Sequence, residues 1–346
     1  MHAYGTGRGI TTLFLGSLHA SPVPIFQIFT ALITLRLNLR YVTWSDLRKI
    51  GHLEHLQHLH LSEYPHREAA EPEDRAFARK VSGHGSPFSC LTGLRSLKLN
   101  LYEFSSAVPD CDGTRRFLQP IRCMNNLQGF TLLGLPTTTG IQHLSQLSQL
   151  TSLGVDYVED GLSALMKLKH LQATAVSPPT WKRRPTVSLS ANLVTLTNLR
   201  SLDCMRVHHY EVSTLTVLTA LRTLTIYLVD NIPFDNQSCM ATWSELAKLP
   251  HLHTLSVCGY AFFHVKDFQA IAVLSCLTKL HFEGFTSNLD FGPEDVNKLS
   301  ALASLQSLSL EFIYCGPRHD AVDELDIHLR TLLNSAKMQH FQVISK

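Results

Sequence analysis

The chain has 346 residues, of which 45% are hydrophobic and 17% are charged, and its formal net charge at pH 7 is +2. The apolar fraction is ample for a buried core, and the low charged fraction suits a surface made of short polar turns. Because sequence-independent phosphate binding needs a concentrated basic face, the near-neutral balance argues against nucleic acid as the main partner.

A short phrase recurs thirteen times between Ile10 and Val343. It consists of an apolar residue, two free positions, a leucine-like residue, one free position and another apolar residue, as in Leu94-Leu97-Leu99. A spacing of two puts alternate side chains on one face of a strand, so the phrase predicts a short strand around its central residue. The predicted strand centres are Leu13, Leu35, Leu59, Leu97, Phe130, Leu153, Leu171, Leu202, Leu224, Leu255, Leu280, Leu308 and Phe341.

Upstream of the strands the apolar spacing is three, as in Leu193-Leu196-Leu199. This spacing predicts a 3₁₀ or short α-helical turn. Each unit is therefore one helical turn followed by one strand. A single unit cannot bury both of its apolar surfaces, so we expect neighbouring units to stack into a solenoid.

The phrase resembles the repeat of the leucine-rich repeat superfamily, and the resemblance covers nearly the whole chain. It implies an α/β repeat fold, a horseshoe solenoid with about thirteen parallel strands on the concave face and short helices or 3₁₀ turns on the convex face. Many members of the family carry Asn or Cys five residues after the strand centre. This chain has apolar residues there, such as Tyr64, Val158 and Phe285, with Arg40 as the polar exception, so we expect a different turn geometry and assign no subclass.

Residues 9–35 contain no formal charge and allow three interpretations. The stretch is long enough to span a bilayer, although Pro22 and Pro24 would break a helix in its middle. Residues 10–18 also have the outline of a signal-peptide core. The repeat register explains the same residues, because Ile10-Leu13-Leu15 is a repeat phrase and Leu35 is the next centre. We therefore predict that this segment forms the first repeats.

We predict one solenoid domain over residues 1–346, because each repeat contacts only its neighbours and the fold has no size limit. Some intervals between strand centres are too long for one repeat. They predict inserted loops at about 65–87, 105–120 and 177–190. The apolar spacing of residues 320–336 predicts a C-terminal capping helix.

The eight cysteines include no C-x-x-C pair and are not bunched at either end, where extracellular leucine-rich repeat proteins usually carry disulfide-bonded caps. Cys204 falls on a core strand position, and Cys276 lies between two apolar turn residues. Reduced, partly buried thiols are the simpler interpretation. They favour the cytoplasm or the nucleus, with secretion as the alternative.

Catalytic motifs are scarce. Residues 110–114 match the D-x-D-x-T signature of haloacid-dehalogenase-like phosphotransferases, but they follow no buried strand, so an Asp-Gly turn is favoured. His58 and His60 could supply two metal ligands, whereas zinc sites need three or four. We predict no enzymatic activity, no cofactor and no metal.

The face on which solenoids of this kind usually bind is the concave one. Its side chains are predicted one before, one after and three after each strand centre, with a basic N-terminal end and a mildly acidic opposite end. A tryptophan beside three cations in the third predicted insertion is a further docking element. The candidate partner-binding residues are Arg36, His58, His60, Lys98, Trp181, Asp203, Tyr227, Glu283 and Glu311.

The predicted function is that of a non-catalytic scaffold or adaptor that binds a partner protein through this face and the inserted loops. We expect a monomer that does not bind nucleic acid or membrane. One alternative is the substrate-recognition subunit of a ubiquitin ligase, acting through a separate adaptor. The other is a secreted or surface recognition receptor.

Overall fold

The structure is a computed structural model, and the chain divides into two compact units, Met1–Val187 and Ser188–Lys346. The residues that it describes are 2–6, 9–15, 29, 31–38, 49–62, 91–100, 121–133, 141–155, 165–173, 193, 195–207, 209–228, 243–258, 269–285, 298–312 and 340–345. Outside them lie the three predicted insertions, the predicted capping helix, Trp181 and the motif at 110–114. The single solenoid domain stays a prediction.

The first unit contains eight strands in the described residues. Their order in the sheet follows their order in the sequence, and β2 to β8 pair in parallel. The strands are β1 His2–Thr6, β2 Gly9–Leu15, β3 Thr34–Asn38, β4 His58–Ser62, β5 Ser96–Asn100, β6 Gly129–Leu133, β7 Ser152–Val155 and β8 His170–Ala173.

In the second unit the structure describes six strands, each pairing in parallel with its neighbours in sequence. They are β9 Ser201–Val207, β10 Thr223–Leu228, β11 Thr254–Cys258, β12 Lys279–Phe285, β13 Ser307–Phe312 and β14 His340–Ser345. The 3₁₀ helices in the described parts of the two units are Ile141–Gln146, His209–Val217, Leu246–Lys248 and Lys298–Ala301.

Every predicted strand centre lies in one of the strands β2 to β14. In β5 the centre and the residue two further on face the core, since Leu97 and Leu99 are buried. Between them Lys98 is exposed, as the alternation of a strand requires. The prediction of one short parallel strand per repeat is therefore confirmed.

The segments with a spacing of three form 3₁₀ turns. The backbone N–H of Leu196 donates to the carbonyl of Leu193 at 2.9 Å, and that of Leu199 donates to Leu196 at 2.9 Å. All three leucines are buried. Because a 3₁₀ turn has three residues, the spacing puts each leucine on the side that faces the core.

Neighbouring repeats are joined at the start of strands β4 to β8 and β10 to β13 by a shared backbone carbonyl. The N–H groups of Arg95 and Ser96 both donate to the carbonyl of Gln57, at 2.8 and 3.0 Å. The same pattern recurs in the second unit, where Arg222 and Thr223 donate to Arg200. These bonds fix the register, so that equivalent positions of successive repeats lie side by side.

The N-terminal segment follows the repeat register, with Leu13 of β2 aligned with Leu35 of β3. Among the described residues, no helix is long and apolar enough to cross a membrane. The sequence pattern did not predict β1, which pairs antiparallel with β2. Its residues precede the first phrase, and it satisfies backbone groups along the edge of β2 that would otherwise lack strand partners.

The four cysteines that the structure describes are not in disulfides. Cys204 is buried on β9, as its strand position predicts. Cys276 is exposed in its turn, because it occupies a free position between Leu274 and Leu277 rather than one of the three-spaced positions. Of the residues five positions after the strand centres, Val207 and Phe285 end β9 and β12, and the others lie outside the described residues.

Candidate functional site

Polar side chains of the strands form one surface on each unit, which we call the strand face. It consists of the residues one before, one after and three after each strand centre, since these point away from the core. The strands are in register, so side chains at the same position form rows that cross the sheet. Nearest neighbours in a row lie on strands about 4.8 Å apart.

In the first unit the row one residue after the centres brings Arg36, His60 and Lys98 together, and we call these residues the cationic row. Arg36 of β3 is aligned with His60 of β4, which is aligned with Lys98 of β5. Arg36 and Lys98 are exposed, while His60 between them is half-buried. The sequence predicted a basic N-terminal end of the face, and the register of β3 to β5 aligns these three residues in one row.

The row is anchored at one end by an aromatic ring. Phe14 of β2 is aligned with Arg36, and the guanidinium carbon of Arg36 lies 4.6 Å from the centroid of the ring. A guanidinium at this distance is attracted by the ring's quadrupole, which restrains its position. The guanidinium of Arg36 therefore lies over the ring while the side chain stays exposed.

His60 has an unusual proton affinity because of this environment. Burial, followed by the charges of Lys98 and Arg36, lowers its pKa from the ordinary value of 6.5 to about 4. At neutral pH the imidazole is therefore uncharged. It offers one hydrogen-bond donor and one acceptor between two permanent cations.

His58 lies on the same strand face, one position before the centre of β4, and is exposed. It is aligned with Thr34 and Ser96 on the neighbouring strands. Within the part of the chain that the structure describes, His58 and His60 belong to no group of three metal-ligating side chains.

In the second unit the row three residues after the centres brings Tyr227, Cys258, Glu283 and Glu311 together on β10 to β13. His281 lies on the same face of β12, and its Nε2 is 3.7 Å from Oε2 of Glu283. The ligand atoms of Cys258, His281 and Glu283 all lie within 4.8 Å of one another. We call these three residues the cysteine cluster.

The thiol of Cys258 is buried although its position points away from the core. Ser256 Oγ lies 3.6 Å from Cys258 Sγ. Burial raises the pKa of the Cys258 thiol, and Glu283 adds to the rise through its charge and a hydrogen bond. Hydrogen bonds with Ser256 and Tyr227 act in the opposite direction.

Tyr227 is held in its neutral form by the same surroundings. Its pKa is raised to about 12, first by burial and next by Cys258, through charge and a hydrogen bond. The carboxylates of Glu283 and Asp203 add smaller contributions. The strand face around Tyr227 therefore carries negative charge, whereas the cationic row of the first unit carries positive charge.

Comparisons with known proteins agree with this architecture. Neither a protein-family model nor a curated protein matches the chain. Among solved structures, an internalin (inlF) from Listeria monocytogenes is 19% identical with a TM-score of 0.50, over 96% of this chain and 86% of that chain. That protein is a leucine-rich repeat protein. This likeness agrees with the parallel strands and the 3₁₀ turns that the structure shows. The chain has the leucine-rich repeat fold.

Two further solved structures are similar over most of this leucine-rich repeat chain. A leucine-rich repeat protein from Leptospira interrogans is 16% identical, with a TM-score of 0.44, over 98% of this chain and 77% of that chain. An internalin C2 from Listeria monocytogenes is 18% identical, with a TM-score of 0.33, over 80% of this chain and 93% of that chain.

The leucine-rich repeat register accounts for most of the predicted site residues. Arg36, His60 and Lys98 form one row, with His58 beside them, and Tyr227, Glu283 and Glu311 lie in another. Asp203 is half-buried on β9 and aligned with Thr225. Trp181 lies outside the described residues.

Sequence reasoning missed Cys258, which lies between Tyr227 and Glu283 in the same row. Cys258 is three residues after the centre Leu255, so the rule that placed Tyr227 and Glu283 on the face also places Cys258 there. His281 occupies an outward position one residue after its strand centre. Their closeness to Glu283 was not visible in the sequence, since it depends on the register between β11 and β12.

Proposed function

We propose that this leucine-rich repeat protein is a non-catalytic scaffold that binds an acidic segment of a partner protein through the cationic row. The observation that supports this proposal is the alignment of Arg36, His60 and Lys98 on three adjacent strands. A row of this kind crosses the strands and presents its groups on a rigid backbone. Binding residues held on strands are positioned better than residues on loops.

The charges of the first unit favour an acidic partner. None of its described strands contains Asp or Glu, so no carboxylate on these strands neutralises Arg36 or Lys98. A guanidinium binds a carboxylate through two parallel hydrogen bonds, and Phe14 restrains that of Arg36. Lys98 adds a second positive charge two strands away, about 10 Å along the row.

His60 contributes hydrogen bonding to the same proposed surface. Because its pKa is about 4, the imidazole is neutral at physiological pH and adds no repulsion between the two cations. It can accept a hydrogen bond from a backbone N–H of the partner or donate one to a carbonyl. The row therefore suits a peptide whose carboxylates flank an uncharged residue.

The second unit offers a complementary surface in this proposal. Its row of Tyr227, Cys258, Glu283 and Glu311 is rich in carboxylate, so a partner of mixed charge would place cationic groups there. Trp181, beside Lys182 to Arg184 in the sequence, is kept as a proposed aromatic anchor. Its loop lies outside the described residues.

The experiment uses charge reversal with a matched control. The row variant carries Arg36→Glu and Lys98→Glu, and the control variant carries Arg95→Glu and Lys169→Glu. Arg95 and Lys169 are exposed cations of the same unit that lie in the turns two positions before a strand centre. Both variants change the net charge equally, so a difference between them reports position instead of total charge.

Quantitative affinity purification with mass spectrometry identifies proteins that bind the wild type, and surface plasmon resonance then measures their rates. We expect the row variant to bind the partner with an association rate that is lower by about tenfold or more, and with a weaker dependence of that rate on salt. The control variant should keep both near the wild-type values. Equal binding by all three proteins, or equal loss in both variants, would contradict the proposal.

A further inference from the structure

The cysteine cluster combines three types of metal ligand on one rigid part of the sheet. His281 and Glu283 project from the same face of β12, and Cys258 of β11 is aligned directly with Glu283. Their ligand atoms lie within 4.8 Å of one another. We propose that Cys258, His281 and Glu283 form a site for a zinc-class divalent transition metal ion.

The distances are close to those that such an ion needs. Zinc binds Cys, His and Glu at about 2.0 to 2.3 Å, so two ligand atoms of a tetrahedral site lie about 3.5 Å apart. Nε2 of His281 and Oε2 of Glu283 are already 3.7 Å apart. All the ligand atoms of the cluster lie within 4.8 Å of one another, so side-chain shifts of about 1 Å bring them into range.

The donor set selects the class of metal. A thiolate and an imidazole suit zinc, cobalt and related ions, whereas calcium and magnesium need six or more oxygen ligands. The cluster supplies only one carboxylate. Three protein ligands leave the fourth tetrahedral position for water or for a group of a bound partner, because the cluster lies on the strand face.

The surrounding charges also favour a cation. Glu283 is aligned with Glu311 on β13, and like charges directly opposite each other on adjacent strands are destabilising. A divalent ion at Glu283 would offset this repulsion. Tyr227, aligned with Cys258 on β10, closes the other side of the cluster and hydrogen-bonds to the thiol. The ligands are thus supported by neighbours on both sides.

Cobalt is the most selective probe, because thiolate-bound Co²⁺ absorbs in the near ultraviolet through sulfur-to-cobalt charge transfer. The whole chain is titrated with Co²⁺ under reducing conditions and then with Zn²⁺ in competition. We expect a charge-transfer band that saturates at one Co²⁺ per chain and disappears when Zn²⁺ is added. Many exposed histidines bind metal weakly, but they cannot give this band.

Two cysteine variants locate the thiolate. Cys258→Ser should abolish the band, whereas Cys276→Ser should retain it, since Cys276 is exposed in a turn and is not part of the cluster. Absence of the band in the wild type would overturn the proposal. So would a band that survives in Cys258→Ser or is lost in Cys276→Ser.

A second pair of variants keeps the test decisive if Cys258→Ser does not fold. Glu283→Gln preserves the size of the side chain and should weaken Co²⁺ binding about tenfold or more. Glu245→Gln is the control, since Glu245 precedes the 3₁₀ helix Leu246–Lys248 of the same unit and pairs with Lys248. Equal affinities in these two variants would also overturn the proposal, and circular dichroism verifies that both are folded.

Discussion

Gly154 and Thr131 face each other on the adjacent strands β7 and β6, and a Cβ atom added at Gly154 would lie 2.9 Å from both branch atoms of the threonine. It would also lie 3.3 Å from the Cβ atom of Thr131, so rotation of the threonine cannot relieve the contact. We therefore expect Gly154→Ala to destabilise the protein by about 1 to 3 kcal/mol. Urea denaturation measures this loss.

Gly129 provides the matched control for that substitution. It lies on the neighbouring strand β6, where an added Cβ would meet only ordinary contacts, 3.7 Å from Ser96 Oγ and 4.0 Å from Ser152 Cβ. Gly129→Ala should be neutral or slightly stabilising, because alanine restricts the unfolded chain. Thr131→Ala should rescue Gly154→Ala in the double variant. Similar losses at both glycines would show that the contact with Thr131 is not the cause.

Leu224 and Thr225 test the alternation that separates the core from the strand face. Leu224 is fully buried at the centre of β10, and removal of its side chain should leave a cavity. We expect Leu224→Ala to cost about 2 to 5 kcal/mol of unfolding free energy. Thr225→Ala, on the outward side, should change it by less than about 0.5 kcal/mol. Equal losses in chemical denaturation would contradict the register.

Lys98 should control the proton affinity of His60 across the strand boundary. Lys98→Met removes the charge on β5, which lowers this pKa more than that of Arg36 does, and keeps a long unbranched side chain, so the pKa of His60 should rise above about 4. It should stay below the ordinary 6.5, because burial is the larger cause and Arg36 remains. NMR titration of the imidazole measures the shift, with His60→Gln for assignment. Lys167→Met, in an exposed turn of the same unit, should leave it unchanged.

His60 should also make stability depend on pH. Its pKa is about 4 in the folded chain and 6.5 in its ordinary environment, so between these values the unfolded chain binds the proton more readily. The loss of folding stability caused by His60 is absent above about pH 6.5, grows as the pH falls and is complete below about pH 4. Stability should therefore fall less between pH 7 and pH 5 in His60→Gln than in the wild type. Urea denaturation at each pH measures the free energy of unfolding. The same change with pH in the two proteins would contradict the pKa shift.

Much of the fold could be predicted from the sequence because its signals are local. The spacing of two around Leu97 and Leu224 identified strands and their buried faces, and the spacing of three at Leu193 to Leu199 identified the 3₁₀ turns. The strand β1 was not predictable in this way, since it precedes the repeat phrases. Its placement depends on the backbone N–H and C=O groups along the edge of β2, with which it pairs.

The sequence by itself determined which residues occupy the strand face, because side-chain direction follows from position in a strand. Only the tertiary structure decided which of them meet. His60 and Lys98 become neighbours across a predicted insertion, and Cys258 joins His281 and Glu283, through the hydrogen-bonded register of adjacent strands. The charges and hydrogen bonds that shift the pKa of His60 and of Cys258 likewise include groups on neighbouring strands. Local periodicity carries no information about these contacts, since they depend on how the repeats stack.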